Sequence, residues 1–172
     1  VVRNNIKSLN GSITVQSEIG KGSKFTLNLP LTLAIIDALM VKTAGDTYAI
    51  PLYAVSETTK IEAEKLNEVN KKKAVTMRGE VMGIVELSEV LGIKNGKKDR
   101  KLLPLVIISV NERRLGLVVD TLLERQEIVI KSMGEYLGDV MGISGATIMG
   151  DGSVVLILDP NEVFMQASRA TY

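Results

Sequence analysis

The feature that most restricts the fold of this chain is that it is written twice. Tyr48-Ala49-Ile50-Pro51-Leu52, running on to Glu57, can be laid over Leu115-Gly116-Leu117-Val118-Val119, running on to Glu124. Gly79-Glu80-Val81-Met82-Gly83-Ile84-Val85-Glu86 likewise matches Gly152-Ser153-Val154-Val155-Leu156-Ile157-Leu158-Asp159. Both copies then reach a Glu-Val pair, Glu89-Val90 and Glu162-Val163, entering or inside a short helix. The two spacings differ by a few residues, so an insertion separates the blocks. Two β-rich units of roughly 60–70 residues each follow. Their short strands are punctuated by turn signals about every 8–12 residues, which is the pattern of small barrels and not of an α/β sheet. The expected fold is therefore mainly β.

What lies outside the repeat can be read locally. In VVRNNIKSL the apolar residues Val2, Ile6 and Leu9 fit one face of a helix, and Asn10-Gly11 ends it. SITVQS and SKFTLNLP both alternate about a glycine-containing turn, which makes a β-hairpin. Pro30 is the expected seam, giving domains at 1–30 and 31–172. After it, LTLAIIDALMV suits a strand buried on both faces. The charged stretch EAEKLNEVNKKK (Glu62–Lys73) suits a short helix, with Lys71–Lys73 in a solvated loop, and KNGKKDRK (Lys94–Lys101) suits a linker. RLGLVVDTLL reads as one strand-forming run and Asp151-Gly152 as a two-residue hairpin turn. Asp159, Pro160 and Glu162 are the N-cap, first-turn proline and capping-box carboxylate of a final helix.

Composition narrows the chemistry. The 172 residues contain neither Cys nor His. Thiolate catalysis, disulfides, the commonest metal ligand and the commonest general base near neutral pH are thereby removed. The net charge is +1, aromatics are 3% and Trp is absent. A nucleic-acid partner is not expected from that balance. No signal peptide is evident, and apolar runs such as LLPLVIISV are too short to span a bilayer, so a cytoplasmic chain without direct membrane insertion is expected.

No nucleophile, base and oxyanion donor assemble from these residues. Gly20, Gly22 and Ser23 could let backbone approach a phosphate, but with no P-loop or GxGxxG arrangement the residues favour a hairpin turn that needs positive φ. Glu57 and Glu124 occupy equivalent points of the two repeats, a placement that argues for structure before catalysis. Arg78, beside a turn and between two apolar strands, can brace a loop or anchor a carboxylate across an interface. Read from residues alone, this is a binding or regulatory module.

The stretch GSITVQSEIGKGSKFTLNLP resembles the C-terminal end of the ATP-binding domain of bacterial histidine kinases. With LTLAI after Pro30, it resembles the junction into the CheW-like regulatory domain of the CheA family. TYAIPLYAVSE, VTMRGEVMGIVEL, LGLVVDTLLERQEIVIKSMG and SGATIMGDGSVVLILD carry the resemblance through the rest of the chain. One departure is Gly83, where the CheW-like pattern commonly has Pro.

The resemblance implies two intertwined, SH3-like barrels preceded by a helix-and-hairpin remnant of the kinase domain. It implies binding to the CheW adaptor and the chemoreceptor cytoplasmic tip, at receptor arrays on the inner face of the membrane. Contacts with the kinase domain of the parent chain are also implied. No catalytic residue, metal or cofactor is expected in this chain. ATP and Mg belong to the parent kinase, a histidine protein kinase, and Gly20, Gly22 and Ser23 would be the rim of its nucleotide site. Val55, Glu57, Arg78, Val81, Met82 and Ile84 are the partner-binding candidates. Strand alternation allows only one of Val81 and Met82 on a given face. The competing reading is a small-ligand or nucleotide-binding protein that uses the N-terminal glycine hairpin. That hairpin, with its apolar residues unpaired, is also expected to self-associate.

Overall fold

The computed structural model describes residues 1–8, 11–29, 34–96, 99–131 and 140–169. The helix end at Leu9-Asn10, the seam at Pro30, part of the 94–101 segment and the start of YLGDVMGISG lie outside them. The chain separates into two compact units, Val1–Ala34 and Ile35–Tyr172.

The first unit holds helix α1 (Val2–Ser8) and a two-stranded hairpin of β1 (Ser12–Glu18) and β2 (Gly22–Asn28). Gly11 is needed at the helix-to-strand corner, because an added Cβ would lie 2.7 Å from the Asn28 carbonyl oxygen. The register sets Ile13 opposite Leu27 and Val15 opposite Phe25, so the apolar residues share one face. Much of that face is exposed, including Val15, Phe25 and Leu27.

The second unit contains the repeat. Its first half runs through β3 (Ile35–Thr43), β4 (Asp46–Pro51), β5 (Val55–Glu62), β6 (Asn67–Val69), β7 (Lys72–Met77), β8 (Glu80–Glu86) and helix α2 (Leu87–Val90). The second half supplies β9 (Leu102–Val110), β10 (Arg113–Val118), β11 (Thr121–Val129), β12 (Ile143–Ile148), β13 (Val154–Leu158) and helix α3 (Pro160–Arg169).

The halves exchange strands. One sheet has the order β11-β3-β4-β13-β12 and the other β5-β9-β10-β8-β7-β6. Each is thus one hairpin from its own repeat, completed by strands of the other. The joints are the parallel pairs β4–β13 and β8–β10. Their registers obey the internal repeat: Tyr48 faces Leu156 and Leu115 faces Gly83, the very residues that the two sequence alignments equate. Reciprocal bonds between Lys131 and Ala146, at 2.8 and 3.1 Å, close the five-stranded sheet on itself.

Three cores result. Ala38, Met40, Ala49, Ile128, Val155 and Ile157 fill the five-stranded barrel. Ile61, Val75, Met82, Ile84, Leu105 and Ile107 are among those filling the six-stranded one. A third, between the barrels, draws Val41 and Ile50 from one sheet, Val106 and Leu117 from the other, and Leu87 and Val163 from the two helices. Because strands cross between barrels, this third core is shared by both repeats, and neither has a complete core alone.

Four sequence expectations are corrected by this architecture. Glu62–Lys73 holds only a single 3-10 turn, Ala63–Lys65, and then turns back as the β6–β7 hairpin, with Lys72 and Lys73 in a strand. Leu66 packs on the barrel core, and that burial outweighs the charge pattern that favoured a helix. RLGLVVDTLL is split: the Val119 N–H donates to Pro104 O and the next, Asp120, to Lys42 O, so consecutive residues belong to different barrels. Five residues, not two, separate β12 from β13, and Asp151 there accepts the Ser153 N–H at 2.9 Å. Asp159 caps α3, accepting N–H bonds from Asn161 at 3.0 Å and Glu162 at 3.2 Å. The Glu162 carboxylate does not complete the capping box; it accepts the Gly142 N–H at 2.7 Å and ties the helix to the preceding loop.

Candidate interaction surface

The most distinctive local geometry lies at the turn from β7 to β8. Arg78 and Gly79 have φ of +49° and +83°, two consecutive left-handed residues as a two-residue type I′ hairpin requires. Asn or Gly usually takes the first of these positions, since an L-residue with a long side chain is strained there. The Arg78 Nη2 donates to Glu57 Oε2 at 3.0 Å, yet the Arg78 side chain stays 76% exposed. Glu57 stands where β5 slips register against β9, a bulge that turns its carboxylate toward the hairpin tip.

Next to this pair Val81 is 72% exposed, whereas Met82 and Ile84 lie in the barrel core. The alternation rule therefore selects Val81. Met82 and Ile84 are corrected from surface candidates to core residues, because strand β8 turns their side chains inward. Val55 is half-buried and packs against the core between the barrels. Arg78, Glu57 and Val81 thus remain together at a shallow depression of about 540 Å³, to which Glu80, Glu112 and Arg114 also contribute. Arg114 approaches Glu80 to 3.8 Å.

An equivalent depression of about 300 Å³ exists on the other barrel, and sequence reasoning passed over it. Repeat equivalence puts Glu124 in the place of Glu57, Asp151 in that of Arg78 and Val155 in that of Met82. Glu124 also lies within a register slip, here of β11 against β3. Val154, the counterpart of Val81, is 60% exposed and faces the exposed Ile148 across the hairpin. The signal was available in the sequence, since the alignment of repeats pairs Val81 with Val154. The charges differ. One face sets Arg78 and Arg114 among the carboxylates of Glu57, Glu80 and Glu112; the other carries Asp151 and Glu124, with Thr47 in the place of Arg114. The Ser153 hydroxyl and N–H, both bonded to the exposed Asp151 carboxylate, hold it below the usual carboxylate range.

In the first unit Gly20 and Gly22, at φ +83° and +111°, shape the exposed hairpin turn, and the Ser23 hydroxyl donates to Ser17 Oγ at 3.1 Å. Among the described residues no group of three or more acidic side chains is placed to hold a metal ion, and no helix is long and apolar enough to cross a membrane.

The architecture is two strand-exchanged barrels, each with an exposed valine beside a charged hairpin tip. Residues 37–168 match the CheW-like domain family, and the chain belongs to it. It is 39% identical over 165 residues to the chemotaxis protein CheA of Bacillus subtilis strain 168, covering 96% of this chain and 25% of that protein. It is 42% identical over 159 residues to the sensor histidine kinase CheAY of Helicobacter pylori, covering 92% of this chain and 20% of that one. The chain thus spans a quarter or less of the length of these relatives. In structure it is similar to the scaffolding protein TtCheW from Thermoanaerobacter tengcongensis, with a TM-score of 0.63 and 17% identity, over 73% of this chain and 90% of that one. That likeness is one of fold.

Proposed function

We propose that this chain is the regulatory and coupling module of a CheA-type chemotaxis kinase. In this reading it docks on the CheW adaptor and the chemoreceptor tip, at receptor arrays, and so controls autophosphorylation and phosphotransfer by the parent protein. The observation that carries the reading is the pair of pseudo-equivalent faces, Arg78–Glu57–Val81 on one barrel and Asp151–Glu124–Val154 on the other. An exposed apolar centre bordered by charge is what a reversible protein interface needs. Arg78 and Arg114 on the first face have carboxylates, Asp151 and Glu124, to meet on the second, which favours a head-to-tail arrangement in which one barrel of this chain meets the non-equivalent barrel of a related module.

Calorimetric titration with CheW tests this. The expected result is micromolar binding, about −8 kcal/mol, weakened at least tenfold by Val81→Asp, and no heat from ATP run as a second titrant. ATP heat without CheW binding would instead make the glycine hairpin a working nucleotide site and overturn the coupling reading.

The same proposal makes the first unit the end of a kinase domain. Its apolar hairpin face, with Phe25 67% exposed, would lie against the rest of that domain in the parent. In this chain alone it would pair with a second copy. Sedimentation should then show self-association that disappears on deletion of residues 1–30. A monomer at high concentration, with stability unaltered by the deletion, is the contrary result.

A further inference from the structure

The lysine run that the sequence leaves as a solvated loop acquires a second, independent set of cations in the fold. Strands β7, β8 and β10 lie side by side, with Ala74 opposite Gly83 and Gly83 opposite Leu115. That order brings Lys71, Lys72 and Lys73 to the same groove as Arg113 and Arg114. The groove has a volume of about 450 Å³ and is closed on one side by α3. Its floor is apolar, with Val85, Leu115 and Phe164 contributing.

Three features make this more than a chance cluster of charge. Lys71 has φ +62° in the turn between β6 and β7, so a lysine stands where glycine is the unstrained choice. Arg113 lies 5.1 Å from the centre of the Phe164 ring, which fixes one wall of the groove and covers the one aromatic ring lining it among the described residues. Gly83 leaves the floor open: a Cβ there would touch only Leu115 Cδ1, at 3.8 Å. The equivalent residue of the other repeat is Leu156, which packs against the core between the barrels. The groove is thus particular to one barrel. Carboxylates only partly balance it: Glu89 lines it, Glu80 reaches Arg114 at 3.8 Å, and Glu68 stands opposite Lys73 in the strand register.

We infer that this groove is a docking site for an acidic, amphipathic segment of a partner protein. Carboxylates would meet the five rim cations while an apolar side chain fills the space above Gly83. The apolar floor, and the cover that Arg113 lays over the Phe164 ring, favour such a segment over a base-stacked nucleic acid. The groove adjoins the Val81 face, with which it shares Arg114, and lies on the other barrel from Val154; its test reads peptide binding at Lys71, Lys72 and Gly83, none of which lines the Val81 depression.

The probe is a fluorescein-labelled 16-residue helical peptide with Glu on one face and Leu on the other, followed by anisotropy. An all-Glu peptide of equal charge and a single-stranded oligonucleotide serve as comparisons. Saturable binding of the amphipathic peptide is expected, roughly tenfold weaker for Lys71→Gln/Lys72→Gln and at least tenfold weaker for Gly83→Leu. The lysine variant also lowers the salt dependence, whereas Gly83→Leu leaves it unchanged. Thermal melts verify that each variant is folded, and the lysine variant decides the matter if Gly83→Leu does not fold. Equal binding of both peptides, tighter binding of the oligonucleotide, or no binding of the amphipathic peptide overturns the inference.

Discussion

Replacing Arg78 with Asn should make the domain more stable and a poorer partner at once. Arg78 holds φ +49° ahead of Gly79 at +83°. Asn-Gly is the pair that this turn type favours, whereas an arginine there bears left-handed strain of about 1–2 kcal/mol. The substitution relieves part of that strain. It also removes the ion pair with Glu57, whose partner Arg78 is 76% exposed, and such surface pairs contribute about 0–1 kcal/mol. The net expected gain is about 0.5 kcal/mol, seen as a rise of about 1–2 °C in melting temperature. If Arg78 anchors a partner carboxylate, its loss costs about 2 kcal/mol of binding, close to a thirtyfold rise in Kd for CheW. Calorimetry of unfolding and of CheW binding on the same variant reads both effects. A lower melting temperature with unaltered affinity would mean that Arg78 braces the hairpin, and that the interface is centred elsewhere.

That turn also marks how far the sequence can be read. The repeat was legible because both copies keep the same alternation of large and small residues, and the parallel joints reproduce the alignment residue for residue. The exchange of strands was not derivable from periodicity. It depends on where Val119 and Asp120 send their N–H groups, a choice between two distant carbonyls. The surface candidates were separable only by parity: Val81 and Met82 are both apolar neighbours, and only the inward direction of one strand puts Met82 in the core. The charged segments misled for a common reason. A run such as EAEKLNEVNKKK offers helix-spaced ion pairs, and one of them, Lys65–Glu62 at 3.6 Å, does form. Its backbone is nonetheless set by Leu66 reaching the barrel core, a tertiary effect that local spacing does not encode.

The segment read as a linker carries the second large effect. Arg100 donates to Glu86 Oε1 at 3.1 Å and to the Val119 carbonyl at 2.9 Å, and stands 3.4 Å from Asp120 Oδ1. Asp120 in turn accepts the Ala44 N–H at 2.9 Å and the Asn95 side-chain amide. One guanidinium, only 19% exposed, thus holds together the end of β8, the crossing between β10 and β11, and the turn of the β3–β4 hairpin. Arg100→Met should cost about 2–3 kcal/mol at neutral pH, somewhat below the penalty for stranding a fully buried charge.

The loss should also depend on pH. Burial pushes the Glu86 carboxyl above its ordinary range, and Arg100 opposes that shift; without Arg100 it rises further. A carboxyl whose folded pKa is raised favours folding most below its unfolded value, and that contribution is lost as pH rises through the folded pKa. The gap between Arg100→Met and the parent sequence should therefore be wider at pH 7 than at pH 5 in urea unfolding. Adding Glu86→Gln should recover part of it, since the stranded charge is then gone. An equal gap at both pH values, with no recovery in the double variant, would show that Arg100 acts through its packing and its bond to Val119 alone. In that case the carboxylates at the crossing would be bystanders to the joint between the barrels.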